Sequence, residues 1–373
     1  MIFDFTMSTT VKFPFYARFA LIAIGAIAFV YTMYVGQQII LPLIYATVIA
    51  ILLNPLVNVL VRIKINRMIA ITIAVLSSIL ITLSILYIIS SQITMFSDTY
   101  PMLKEKFNET STHVIRWTSE YFNIKPSKIN TWIRETENDA INNLGSTIGR
   151  TLSTINSVLI VVVLLPVYLF MILFYKNLLL EFIRKLFKSE HHAAVVEILM
   201  NSKIIIQSYL IGLLVEAAII AVLNSAGLLF LGIDYAIILG ITGALLNVIP
   251  YIGGVIAIAL PMIMAYVTKE SSTYALLVFG IYLLIQFIDN HIIIPRIVAS
   301  RVKLNALVSV VVVLIGAALW GVPGMFLSIP LTAILKVIFD HIEPLKPWGF
   351  LLGNIVPSTS KYKFDFMKKR IKK

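Results

Sequence analysis

Eight apolar runs divide the chain, at about 19–35, 39–61, 68–96, 152–175, 205–231, 235–267, 273–294 and 306–339. A helix needs roughly 20 such residues to cross a membrane. The first five and the seventh fit one crossing each. The sixth and eighth, at 33 and 34 residues, are too long: a straight helix of that size extends about 50 Å, against a hydrocarbon core of about 30 Å. Both also contain a Pro/Gly break near the midpoint, "ALLNVIPYIGG" at 244–254 and "ALWGVPGMF" at 318–326.

Two solutions fit such a run. It is a long, tilted and kinked span, or a re-entrant hairpin of two half-helices. Basic residues discriminate, because short cytoplasmic loops collect Lys and Arg. Lys12 and Arg18 place the N-terminus inside. Arg62, Lys64 and Arg67 place the second link inside, and Lys176, Arg184, Lys185, Lys188 and Lys203 the fourth. If runs six and eight each span once, Arg296, Arg301 and Lys303 fall outside. If both are hairpins, these residues are cytoplasmic. The rule favours hairpins. The expected fold is therefore all-α and polytopic, with six spans plus two re-entrant hairpins, eight spans being the alternative.

The hairpin reading creates an inverted repeat in the C-terminal half. A span at 205–231 precedes the first hairpin, and an oppositely directed span at 273–294 precedes the second. Broken segments at matched places in inverted repeats mark secondary transporters, with the site near the midplane. The expected divisions are scaffold helices at 1–96, an external helical insert at 97–150, the fourth helix with cytoplasmic amphipathic helices at 151–203, a transport core at 204–340 and a basic tail at 341–373. The insert balances seven Lys/Arg against seven Asp/Glu.

Composition agrees with a membrane protein. The chain is 59% hydrophobic and 13% charged, where a soluble domain averages about 25% charged. There is no cysteine, which excludes disulfides and thiolate metal sites. The net charge of +12 is read as cytoplasmic loops and a lipid-facing tail, not as a nucleic-acid footprint. The first run is read as a retained helix. The chain has no P-loop, HExxH or G-x-S-x-G, so no enzyme, cofactor or metal site is expected. His191 and His192 project about 100° apart on a helix and are read as exposed polar residues.

The informative residues are polar ones inside apolar segments, which are functional candidates by default. Glu216 stands alone in "IGLLVEAAIIAVLN", with Tyr209 and Gly212 on its face. Gln286, Asp289 and Asn290 share one helical face by i, i+3, i+4 spacing. They offer two amides and a carboxylate to a hydroxylated solute or a cation. Pro295 follows and frees backbone carbonyls. The bland alternative is a helix end with Asp289 paired to Arg296. Asn247, Pro250, Tyr251, Gly253 and Gly254 form the first break. Gly316, Trp320, Gly321, Pro323 and Gly324 form the second. At a break, unpaired backbone groups become ligands, or else simply pack as a kink.

At "LLNVIPYIGGVIAIALP" and "QFIDNHIIIPRIVASRVKLNALVSVVVVLIGAALWGVPGMFLSIPLTAILKVIFDHI" the chain resembles the autoinducer-2 exporter family of bacterial membrane proteins. The resemblance covers most of the chain and is strongest across 243–340. It implies a multi-pass transporter of the bacterial inner membrane that forms homo-oligomers. Some members are linked to export of a small hydroxylated signalling molecule and others to sodium–proton exchange. The matching positions are Asn247, Pro250, Tyr251, Gly253, Gln286, Asp289, Asn290, Pro295, Arg296, Gly316, Gly321, Gly324 and Pro330. Members often carry Glu-Gly-Asn where this chain has Asp289-Asn290-His291.

The resulting expectation is a secondary exporter of a small polar solute by alternating access, coupled to H+ or Na+, with both termini cytoplasmic. Its partners are the bilayer and the solute, with no nucleic acid. Glu216 and Asp289 are the expected ion or proton sites. Gln286, Asn290 and the break residues are the expected solute contacts. A cation–proton antiporter and a non-transporting membrane scaffold are the rival readings.

Overall fold

The computed structural model describes residues 14–122, 164–250, 252–269, 271–299 and 302–354. Among them there is no β-strand, and the helices follow the apolar runs. Helix α1 (Phe15–Val35) begins behind Pro14, and only Gly36 separates it from α2 (Gln37–Arg62). A turn with Lys64 at φ 66° leads to α3 (Arg67–Phe122). There Asn66 Oδ1 accepts from the Met68 N–H at 2.9 Å. The 56 residues of α3 make it about 84 Å long. The described part of the expected insert is thus a continuation of the third span. The rest of the insert and the basic tail lie outside the described residues.

Helix α4 (Leu164–Phe174) bends by 68° into the amphipathic α5 (Lys176–Lys185). Helices α2, α3 and α4 pack through Ala46, Ala50, Ala70 and Ala74 against Leu169 and Leu173. Small side chains let membrane helices approach closely. At one end of this packet the Arg67 guanidinium donates to the Leu173 carbonyl at 3.3 Å. The Lys176 ammonium donates to Asn54 Oδ1 at 3.0 Å. Burial, then the charges of Lys203 and Arg67, hold the Lys176 pKa below its ordinary value. Arg67, Lys176 and Lys203 thus gather at one basic end.

The core starts with α6 (His192–Phe230), which leads to α7 (Ala236–Asn247) and α8 (Ile252–Thr268). Ala236 and Leu239, at the start of α7, share one cluster with Met264 and Ala265, at the end of α8. In one continuous helix Ala236 and Ala265 would be about 44 Å apart. The chain therefore doubles back, with its tip beyond the end of α7, where Val248–Pro250 are described. The far end of this hairpin meets the α3 extension, where the Tyr266 hydroxyl donates to the Lys106 carbonyl at 3.3 Å.

Helix α9 (Thr273–Ile288) continues into π-helical turns at Asp289–Ile293 and Pro295–Ala299. Helix α10 (Ala306–His341) then breaks at Gly321, whose φ of 64° and ψ of −144° suit glycine alone. The backbones of Gly316 and Gly324 touch, so that a Cβ on either would strike the other's carbonyl. An unbroken helix would hold them about 12 Å apart. This run is the second hairpin. Its two ends meet: Asn305, which caps the start of α10, donates from Nδ2 to the Leu351 carbonyl at 2.6 Å. Leu351 belongs to α11 (Lys346–Leu352), beyond the end of α10. A cavity of about 470 Å³ lined by Asn201, Ser208, Lys303 and Lys336 puts both ends of this hairpin beside the start of α6. Among the described residues six helices are long and apolar enough to cross a membrane, α10 counted by length. The chain nevertheless folds back within α10.

The second tip rests on the scaffold. The Tyr45 hydroxyl of α2 donates to the Pro323 carbonyl at 3.0 Å. Trp320 Nε1 donates to the Met33 carbonyl of α1 at 3.0 Å. The Tyr45 ring stacks on Phe326.

Candidate functional site

The site forms where α9 loses α-helical geometry. Pro295 has no N–H, and in an α-helix its ring would clash with the carbonyl four residues back. The helix widens instead into π turns, a form that recurs at functional sites. The widened segment presses its Ile297 carbonyl against α6 at Gly212, where a Cβ would lie 2.8 Å from that oxygen.

Asp289 heads the first π turn and is 0% exposed. Asn247 Nδ2, at the end of α7, donates to its Oδ2 at 2.9 Å. Gln286 Nε2 donates to the same oxygen at 3.4 Å. The other oxygen, Oδ1, is buried without a hydrogen-bond partner among the described residues. The expected alternative, an Asp289–Arg296 pair, is not formed: neither Asp289 nor Glu216 has an ion pair among the described residues.

Glu216 lies on α6 and is 6% exposed. Ile220, one turn further along α6, shares a cluster with Ile285 and Ile293, which flank Asp289 in sequence. Tyr209, on the same helix, is also buried. Two carboxyl groups far apart in sequence are thus both buried, on segments that pack against each other.

The first tip closes over this region. Gly253 is pressed against the Leu246 carbonyl, so that any side chain would collide. A Cβ on Gly254 would lie 3.1 Å from Gln286 Oε1 and 3.4 Å from Asn247 Oδ1. Glycine at these positions lets the tip lie flat against the amides. Pro250 is half-buried at the tip. Tyr251 lies outside the described residues.

Not every candidate converges here. Asn290 was expected on the face of Gln286 and Asp289. It is exposed, and only a 3.5 Å contact from Gln286 Nε2 reaches its Oδ1. The π turn has more residues per turn than the α-helix behind the i+4 expectation, so Asn290 rotates off the face. Pro295 is exposed and acts through the backbone. Gly321 and Pro323 are exposed and Gly324 is buried. The polar bonds of their tip run to α1 and α2. The two tips approach through apolar residues, Val248 and Phe326 flanking one cluster.

Four buried polar residues were missed in the sequence. Asn224, Thr242 and Tyr282, in the hairpin core, and Ser202, nearer the start of α6, each carry a buried oxygen without a hydrogen-bond partner among the described residues. The signal was spacing: Asn224 follows Glu216 by eight residues, and Tyr282 precedes Gln286 by four.

A desolvated carboxylate with one unused oxygen and amide donors around the other can hold a proton, a cation or a hydroxyl donor. A family model described as AI-2E family transporter matches residues 23–343. The AI-2 transport protein TqsA of Escherichia coli (strain K12) is 28% identical over 320 residues, covering 86% of this chain and 91% of TqsA. YrrI of Bacillus subtilis (strain 168) is 28% identical over 253 residues, covering 67% of this chain and 70% of YrrI.

Proposed function

This chain belongs to the AI-2E family of transporters, and we propose on that premise that it exports a small polar solute through the site at the tip of α7 and α8. The observation that carries the proposal is Asp289: fully buried, held by Asn247 and Gln286 through one oxygen, with the other unpartnered. Structural carboxylates normally use both oxygens when buried, because an orphaned acceptor is costly. An oxygen left over at a helix break suits a ligand that comes and goes.

In this proposal the basic end faces the cytoplasm, and the two hairpins are re-entrant halves of an inverted repeat. The solute site is exposed alternately to the two sides as the core moves against α1 and α2. TqsA is named for AI-2 transport, which supports a hydroxylated solute here as well. The test is a comparison of extracellular metabolites from wild-type, deletion and Asp289→Asn cells. The proposal expects at least one polar metabolite to fall outside the cell in both mutants. Unchanged profiles would overturn it.

A second reading has its own observation. Glu216 and Asp289 are both buried, on segments that pack against each other, as suits an exchanger binding a cation or protons between them. Everted vesicles with a pH-sensitive dye separate the two readings. A Na+-dependent pH response lost in Glu216→Gln supports exchange. Solute efflux without any such response excludes it.

A further inference from the structure

We propose that the cavity beside the two ends of the second hairpin binds the phosphate of an anionic membrane lipid through Lys303 and Lys336.

The cavity has a volume of about 470 Å³, within the range of about 300–1,000 Å³ typical of small-molecule sites. Three edges of apolar segments meet at it. The apolar part of α6 begins at Ile204, after Asn201, Ser202 and Lys203. Helix α10 begins at Ala306, after Lys303, and its apolar run ends at Phe339, before Asp340 and His341. Asn201, Lys303 and Asp340 all line the cavity. It therefore lies where hydrocarbon gives way to headgroups. This placement follows from the membrane-spanning fold and is independent of any solute at Asp289.

The polar lining is short of partners. Among the described residues Asn201, Ser208 and Lys303 have no side-chain hydrogen bond or ion pair. Lys336 pairs with Asp340. Besides His341, the charged lining is thus two Lys against one Asp, and the Lys303 ammonium is left over. Lys303 also has a φ of 52°, in the left-handed region that a Cβ makes unfavourable. The turn is tied down: the Asn354 N–H donates to the Lys303 carbonyl at 3.1 Å, and the Asn305 N–H to the Leu352 carbonyl at 3.2 Å. Strain of this kind persists where the surroundings enforce it, and it recurs at ligand clamps.

The chemistry of the lining selects the guest. Two ammonium groups, an amide and a hydroxyl all donate, and phosphate oxygens accept from each. A basic pocket between membrane helices at headgroup level suits a lipid phosphate. The other wall is apolar, formed by Ile204, Ile205, Ala333 and Val337, and Ile204 is 55% exposed. An acyl chain covers such a wall, whereas a soluble phosphate leaves it bare. One surplus positive charge matches one phosphodiester. Phosphatidylglycerol has that charge and no other, while a zwitterionic lipid brings a cation of its own to a lining already positive. The chain's own tail has the wrong sign, with seven Lys/Arg and one Asp at 355–373.

The test uses the purified full-length chain in neutral detergent at about 0.15 M salt. The probes are dihexanoyl phosphatidylglycerol, dihexanoyl phosphatidylcholine and glycerol 3-phosphate. Dissociation constants and melting temperatures are measured. Lys303→Asn keeps a residue type that tolerates the left-handed backbone and removes the charge. Lys336→Gln removes the second ammonium, and Lys188→Gln removes an exposed charge outside the cavity. Wild type is expected to bind phosphatidylglycerol more tightly than phosphatidylcholine and to melt at a higher temperature with it. Lys303→Asn and Lys336→Gln are each expected to weaken that binding by about tenfold, with Lys188→Gln unchanged. Should Lys303→Asn fail to fold, Lys336→Gln against Lys188→Gln decides by the same measure. Equal affinity for the two lipids overturns the site, and so does phosphatidylglycerol binding that survives in the cavity variants. An equal loss in Lys188→Gln would mean diffuse attraction to a basic surface and would also overturn it. Glycerol 3-phosphate binding as tightly as phosphatidylglycerol would make the ligand a soluble phosphate and overturn the assignment to lipid.

Discussion

Asp289→Asn separates a functional carboxylate from a structural one. The change preserves volume and removes the charge. Asn247 and Gln286 both donate to Oδ2. A hydrogen bond to a charged acceptor contributes about 1.5–3 kcal/mol and one to a neutral acceptor about 0.5–1.5 kcal/mol. The two bonds together therefore lose about 1–3 kcal/mol. Against this, burying an ionised carboxylate costs several kcal/mol even after relaxation, and Asp289 is completely buried. The opposing terms leave the fold unchanged or slightly more stable. The ligand-facing Oδ1 has no such compensation. Losing one charge-assisted bond to the solute, about 1.5–3 kcal/mol, corresponds to about 10- to 150-fold in affinity. The assay pairs a melting temperature on purified protein with efflux from deletion cells, at matched amounts in the membrane. The expected result is a melting temperature equal to or above wild type with efflux largely lost. Wild-type efflux would refute the reasoning, and so would a protein that no longer folds, which would assign the carboxylate to structure.

The remaining predictions concern the frame of the site. A single cysteine at Lys303 is expected to react with an impermeant maleimide only from the cytoplasmic side, and one at Ser271 only from outside; the reverse pattern would refute the hairpin topology. Gly316→Leu or Gly324→Leu is expected to lower stability by about 1–3 kcal/mol, read as a fall in melting temperature, because each Cβ meets the opposing carbonyl. Gly25→Ala, inside α1 with nothing near its Cβ, is expected to raise stability by up to about 1 kcal/mol. Pro295→Ala permits the α-helical bond that Pro295 forbids, so efflux is expected to fall while helical content by circular dichroism is retained.

The fold was legible because its signals are global. Run length and paired Pro/Gly breaks left a kinked span or a hairpin, the basic residues favoured hairpins, and the Gly316–Gly324 contact shows why length alone misleads for α10. The carboxylate site was legible in part. Asp289, Gln286 and Asn247 stood out as polar residues in apolar runs, and Asn247 and Asp289 meet although 42 residues apart. Asn290 went astray because helical periodicity assumes an α-helix, and Pro295 turns the segment into a π-helix. Asn224 and Tyr282 were not singled out. A lone Asn and a Tyr within apolar helices look like ordinary interior residues until the neighbouring helix proves to have a glycine between them. The insert's first part read as a separate domain because its charge content changes near residue 97, yet helix propensity carries α3 through the change.

The two hairpins match in topology but not in chemistry, and the difference bears on how the core could move. The first hairpin directs its polar residues inward: Asn247 bonds to Asp289, and Gly243 packs against Asn224 and Tyr282. The second directs its polar bonds outward, Pro323 to Tyr45 and Trp320 to Met33. A movement of the core against α1 and α2 therefore leaves the Asp289 bonds intact and breaks these two. Each is a neutral hydrogen bond, with a net contribution of about 0.5–1.5 kcal/mol. Their combined loss, about 1–3 kcal/mol, is small enough for thermal exchange between two arrangements and large enough to bias which one is populated. Tyr45→Phe removes one of these bonds and touches nothing at Asp289. It is expected to shift cysteine accessibility at the Asp289 tip between the two membrane sides without weakening binding of a solute probe to the purified protein. Weakened binding with unshifted accessibility would place the second tip in the solute site itself and refute this division of roles.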